Sequence, residues 1–158
     1  MLYIGNLVNT QGLKGEVKII SSFKYKNLVF QKNNHLYIKD EILTITHSRV
    51  HKNFDIVSFK EYDNIDDVLK LKGEKVYINR EEYHFPGPLN EDLYGKKVYD
   101  NHKEIGILKD IVKNEFQELL VVQIKEKTYL VPYVPEFVEN IDETGIYLKL
   151  IKGLIDEN

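Results

Sequence analysis

Tyr3 to Ile19 reads YIGNLVNTQGLKGEVKI, and the fold turns on how its glycines are read. Gly5, Gly12 and Gly15 punctuate it, Lys14 stands between the last two, and apolar residues lie on both flanks. Such a loop can hold a phosphate, mark an active site, or turn a corner. A Walker loop needs GxxxxGK followed by Ser or Thr, which is absent. Gly12-Leu13-Lys14-Gly15 has the spacing of the loop that clamps RNA backbone in KH domains, but there the loop joins two helices. Here the flanking residues read as strands. The spacing therefore predicts a tight strand connection with Gly12 and Gly15 at positive φ, whose outer face is exposed for contact.

Outward from this loop, alternation of apolar and polar residues recurs at short intervals. EVKII (16–20), HLYIKD (35–40), EILTITHSRV (41–50) and FDIVSFKEY (54–62) are predicted strands with one buried face, separated by polar turn clusters. DNIDDVLKLKGEKVYI (63–78) breaks the pattern: its spacing predicts a short helix capped by Asp63 or Asn64, stopped at Gly73, then a strand at 76–78. HFPGPLNEDLYG (84–95) is rich in Pro and Gly, so no regular element is expected to cross it. Beyond it, 96–100, 104–112, 118–124, 128–134 and 145–151 resume the strand pattern, while 136–141 is short enough to be a turn of helix. The expected organisation is two small β domains, 1–82 and 92–158, with a linker at 83–91.

Composition narrows the function classes. The chain has 158 residues, no cysteine and a formal net charge of −3, with 22 Lys and Arg against 25 Asp and Glu. Disulfides and thiolate chemistry are excluded. A nonspecific nucleic-acid binder usually carries a basic excess, so any RNA contact is expected to be local or to come through a protein partner. No apolar run approaches membrane-spanning length and no signal peptide is expected, which predicts a cytoplasmic protein, read here as a monomer.

Candidate chemistry is thin. His47 and His51 with Asp55 could meet as a metal site, although exposed strand-end histidines are commoner. THSRVHKNFD (46–55) reads as a strand leading into a polar hairpin with a basic tip, where Arg49, His51 and Lys52 could meet phosphate or carboxylate. Asp63, Asp66 and Asp67 suit a first helical turn better than a catalytic pair. Strand tyrosines (Tyr3, Tyr37, Tyr77, Tyr129, Tyr147) are expected to pack or pair across strands. Tyr83, Phe85 and Tyr94 flank the linker and fit either partner binding or packing between the domains. With Leu89, they form a set that neither domain alone is expected to bury.

In order and spacing, these segments resemble the RimM family of ribosome maturation factors along essentially the whole chain. The opening stretch matches the family's N-terminal signature at Gly5, Val8, Asn9, Gly12, Leu13, Gly15 and Glu16. Arg49 and His51 fall where the family has a basic strand end, and LKGEKVYINRE (71–81) resembles the close of its first domain. DLYGKKVYD (92–100), EIGILKDIV (104–112), YLVPYV (129–134) and KGLID (152–156) resemble its PRC-barrel. Two departures stand out. The family's Tyr-Tyr pair before the second domain aligns without gaps on Leu89-Asn90, and on Tyr83-His84 only with an insertion. A family turn containing Gly and Asp reads Glu115 to Val122 with both replaced, so a different turn conformation is expected.

The resemblance implies a mainly β protein, with a translation-factor-like N-terminal barrel followed by a PRC-barrel. It implies binding to the head of the immature small (30S) subunit through ribosomal protein S nineteen, assisting rRNA folding, without catalysis or cofactor. The residues placed at the protein contact are Tyr83, Phe85, Leu89, Asn90 and Tyr94. Those placed at a ribosome or RNA contact are Lys14, Arg49, His51 and Lys52. Two rival readings are a PRC-barrel adaptor outside ribosome assembly and a small split-barrel flavin enzyme. For the latter, only Lys14 and Thr10 are available near a phosphate-binding nest.

Overall fold

A computed structural model describes residues 1–150, which divide into two compact units, Met1–Pro86 and one beginning at Gly87. The motif KGLID and the last residue of the strand expected at 145–151 lie outside the described residues.

The first unit is a closed barrel of antiparallel strands. β1 (Leu2–Gln11), β2 (Glu16–Ile20), β3 (His35–Ile38), β4 (Glu41–His51), β5 (Phe54–Phe59) and β6 (Lys75–Ile78) close in the order β1-β2-β5-β4-β3-β6. Alternation along β2 buries Val17 and Ile19, and along β3 buries Leu36 and Ile38, so one face of each strand fills the barrel. The outward faces carry the tyrosines: Tyr3, Tyr77 and Tyr37 stand opposite one another across β1, β6 and β3. A short helix α1 (Lys26–Val29), which the alternation pattern does not reveal, buries Val29. The expected helix after β5 is α2 (Ile65–Val68), continued by a tight 3₁₀ turn over Leu69–Leu71. Asn64 caps it by accepting from the Asp67 N–H, and Gly73 follows at φ 86°.

The connection from β1 to β2 has the conformation its glycines predict, with Gly12 at φ 68° and Gly15 at φ 82°. The two positions differ in surroundings. A Cβ at Gly12 meets nothing, whereas one at Gly15 would lie 3.1 Å from the Asn64 nitrogen and 3.3 Å from the Tyr62 oxygen. The Ile65 N–H also donates to the Leu13 carbonyl. The loop is therefore docked on the N-terminal end of α2.

The second unit opens with α3 (Asn90–Leu93), whose Leu93 is fully buried. Then follow β7 (Lys97–Asp100), β8 (Lys103–Lys113), β9 (Glu118–Ile124), β10 (Lys127–Pro132), β11 (Val138–Asp142) and β12 (Gly145–Leu148). They form one sheet in the order β10-β9-β8-β7-β12-β11. All pairs are antiparallel except β12 with β7, which run parallel. Of residues 136–141, whose short span left a helical turn open, all from Val138 on belong to strand β11: Asn140 and Ile141 pair with Tyr147 and Ile146. Cross-strand pairing outweighs local propensity over so few residues. Leu93, Leu108, Leu120, Val122, Val131 and Ile146 form the core, with Val138 and Ile141 packed against it, so the sheet wraps around a single interior.

Two outcomes are expected. Gly15→Val introduces a β-branched residue at left-handed φ against the Tyr62–Asn64 backbone and should cost about 1–3 kcal/mol, read as a lower urea midpoint. An unchanged melting temperature together with lost ribosome association would instead make the loop a direct contact. Between Glu82 and Asn90 no helix or strand occurs, and His84, Pro86 and Pro88 are exposed. Limited proteolysis should cut there first and leave two folded fragments, whereas early cleavage within 96–134 would contradict this division.

Candidate functional site

The residues placed at the protein contact fall into very different environments. Tyr83 and Phe85 follow a 3₁₀ turn, Arg80–Glu82, whose start is fixed by the Asn79 side chain accepting from the Glu81 N–H. Both rings pack against the core of the N-terminal barrel. Phe85 stacks on Tyr83 at 5.5 Å and on Tyr25 at 5.1 Å, and meets Phe23 edge-on at 5.5 Å. Burial, then the charge of Glu82 and the neighbouring Tyr37, push the Tyr83 hydroxyl up to about 12. Tyr83 therefore stays protonated at neutral pH. The expectation that these rings lack a core of their own is corrected: the N-terminal unit half-buries both. What sequence reading missed was the aromatic pair Phe23 and Tyr25, which build the other side of the cluster.

Leu89 is only 3% exposed and is not available as a surface anchor. Asn90 donates from its amide to the Glu118 carboxylate at 2.9 Å, which ties α3 to β9. Tyr94 differs from both, being 43% exposed. Burial first, then the charge of Asp110 and a hydrogen bond to it, raise its hydroxyl pKa, so Tyr94 lies against β8 at Asp110.

That position belongs to an apolar face that sequence reading did not assign. Register across β8, β9 and β10 sets Asp110, Val121 and Leu130 in one row and Val112, Leu119 and Pro132 in the next. The buried Leu120 and Val131 fall on the opposite side, so these rows face outward. Leu130 on β10 is 55% exposed, and Ile107 and Val112 are exposed on β8, across β9 from it. At the tip of the β8–β9 hairpin Phe116 is 88% exposed. Its turn is held by the Asn114 side chain, which accepts from the Phe116 and Gln117 N–H groups, both at 2.8 Å. None of residues 114–117 has positive φ, so this turn uses a side-chain acceptor in place of a left-handed residue. The signal in the sequence was the unbroken apolar run LLVV (119–122), which alternation with one wet face does not explain.

The basic residues lie on the N-terminal unit. Lys14 is exposed on the docked loop between Gly12 and Gly15. His51 and Lys52 are exposed at the β4–β5 turn, where Lys52 takes φ 56°. Arg49, two residues back on β4, makes a long ion pair of 3.5 Å with Glu16. Asp55, considered as a metal ligand with His47 and His51, is buried and receives the Lys26 ammonium at 3.1 Å. Among the described residues no group of three or more His, Asp or Glu side chains could hold a metal ion. No helix among them is long and apolar enough to cross a membrane.

Comparison with known proteins follows this division. The family model described as the RimM N-terminal domain matches residues 2–83, and that described as the RimM PRC barrel domain matches residues 90–154. Curated relatives named ribosome maturation factor RimM include one from an Exiguobacterium species, 34% identical and covering 99% of this chain and 97% of its own. Another, from Staphylococcus haemolyticus, is 34% identical over 97% of this chain and 98% of its own. The Bacillus subtilis protein is 33% identical over 98% of this chain and 96% of its own. Two domain matches in the same order, with identities of this size over nearly the full length, leave one assignment: the chain belongs to the RimM family of ribosome maturation factors.

Proposed function

We propose that this protein binds the head of the immature small ribosomal subunit through ribosomal protein S nineteen, and thereby assists rRNA folding during assembly. The observation that carries this reading is the outward apolar face of β8–β10, with Phe116 at its tip and Tyr94 at its margin. Exposed apolar side chains gathered on one sheet face are the kind of surface that contacts a macromolecular partner. An aromatic ring standing free at a hairpin tip is the sort of side chain in which interface energy concentrates.

Electrostatics supports a basic protein as the occupant. The chain carries a formal net charge of −3, and carboxylates of Glu91 and Asp110 stand beside Tyr94. Ribosomal proteins are predominantly cationic, so long-range attraction speeds encounter and the apolar face supplies the lasting contact. Of the residues first placed at the interface, Tyr94 keeps that role. Tyr83 and Phe85 present only the edges left by their packing, and Asn90 and Leu89 support α3. Lys14, His51 and Lys52 remain available for local rRNA contact on the N-terminal unit.

Phe116→Ala with Leu130→Ala should leave the fold intact, since both side chains are exposed. Binding to purified ribosomal protein S nineteen by calorimetry should weaken by about 2 kcal/mol or more, roughly thirtyfold. The wild-type interaction should also weaken moderately as salt rises. Wild-type affinity in the folded double variant would sink this reading of the face.

A further inference from the structure

A strand inside a sheet bonds to a neighbour on each side, whereas a strand at the sheet's end leaves alternate main-chain groups without a partner. The first unit avoids such ends by closing its barrel. In the second, the hydrogen-bonded order of strands ends at β10 on one side and at β11 on the other. The two ends differ. β11 is interrupted by a register shift between Val138 and Asn140 and carries the exposed Glu139 and Asp142, features that discourage a further strand. β10 pairs with β9 without a shift from Lys127 to Pro132, and its Thr128 and Leu130 are exposed.

Register decides which groups of β10 face outward. Ile124 and Lys127 pair across a turn of two residues, Lys125 and Glu126, and so short a turn requires that they exchange both hydrogen bonds. Bonded and non-bonded pairs then alternate along an antiparallel ladder. Tyr129 with Val122 and Val131 with Leu120 are the next bonded pairs, and the same series continues where the Tyr133 N–H donates to the Glu118 carbonyl at 3.0 Å. Thr128, Leu130 and Pro132 fall on the non-bonded pairs, so their main-chain groups point away from β9. Among the described residues no strand other than β9 pairs with β10, and no other main-chain bond reaches these groups. Pro132 has no N–H to offer and closes the edge to longer pairing. What remains is the N–H and carbonyl of Thr128 and of Leu130, with the carbonyl of Pro132.

We infer that this edge takes up an extended segment of the protein partner as a further strand, bonded through its main chain to Thr128 and Leu130. The inference rests on the protein contact proposed above and deepens it. Such an edge recognises extended polypeptide through the main chain, and pockets or faces beside it select the side chains. Here the selecting surface is the outward row of Asp110, Val121 and Leu130, which ends at this edge. Neighbouring strands lie about 4.7–4.9 Å apart, so the incoming residue set beside Leu130 extends that row and is apolar. The match of apolar faces fixes the register of the added strand.

The test is amide hydrogen exchange of the full chain, followed residue by residue by NMR, alone and saturated with purified ribosomal protein S nineteen. In the free chain Tyr129 and Val131 should be protected while Thr128 and Leu130 exchange fast. In the complex the Thr128 and Leu130 amides should slow by about tenfold or more. Thr128→Pro removes one outward N–H and leaves every bond to β9 in place, as proline on an edge strand can. Its affinity by calorimetry should fall about tenfold, with Thr128→Ala within about twofold of wild type. Bound ribosomal protein with both amides unchanged, or wild-type affinity in Thr128→Pro, overturns the added strand and leaves the apolar contact standing. Absence of any binding overturns both. Protection of these two amides in the chain alone, rising with its concentration, would assign the edge to a second copy and likewise overturn the inference.

Discussion

Barrel closure through β1 is the constraint on which the N-terminal unit depends. β1 hydrogen-bonds along both edges, to β2 on one side and to β6 on the other, so it is the strand that removes the sheet's free edges. Doing so requires strong curvature, and register shifts between Tyr3 and Gly5 and between Leu7 and Asn9 provide it. Gly5 sits where the chain passes closest to β2: a Cβ there would fall 2.4 Å from the Ile20 carbonyl oxygen. Beyond its end, the docked loop carries the chain into β2 and contacts α2 on the way.

Much of this was legible in the sequence, and the reasons are local. Val17 and Ile19, or Leu36 and Ile38, alternate with polar neighbours, so period-two patterning located their strands. Gly12 and Gly15 announced positive φ because few other residues tolerate it. Where the reading fell short, the deciding signal lay outside the segment itself or the segment was too short to carry one. Residues 138–142 are a strand because of their partners at 145–148. Helix α1 spans four residues, too few for helical periodicity to register. Tyr83 and Phe85 looked unclaimed because their partners, Phe23 and Tyr25, stand some sixty positions earlier. The outward face of β8–β10 was hidden for another reason. A strand apolar on both faces reads as buried, and only the register shows which face is covered.

The two units thus offer contrasting surfaces. The second presents apolar side chains on a sheet face and a hairpin tip, suited to a folded protein surface. The first presents exposed basic side chains on the Lys14 loop and at the β4–β5 turn, suited to anionic groups. A binding protein acts by favouring the conformations of its partner that it fits, and two chemically different surfaces on one chain would restrict those conformations more than either alone.

The parallel pairing of β12 with β7 also sets an order in time. Val98 must wait for Ile146 before that ladder can form, a separation of nearly fifty residues. The barrel, by contrast, has all its strands once Ile78 has been made. During synthesis the first unit can therefore complete its core while the second is still being translated. The β12–β7 ladder of the second unit is a late event governed by long loop closure. A nascent chain of this protein passes through a stage in which the N-terminal barrel is folded and the apolar face of β8–β10 has not yet formed, so the two surfaces of the chain mature one after the other.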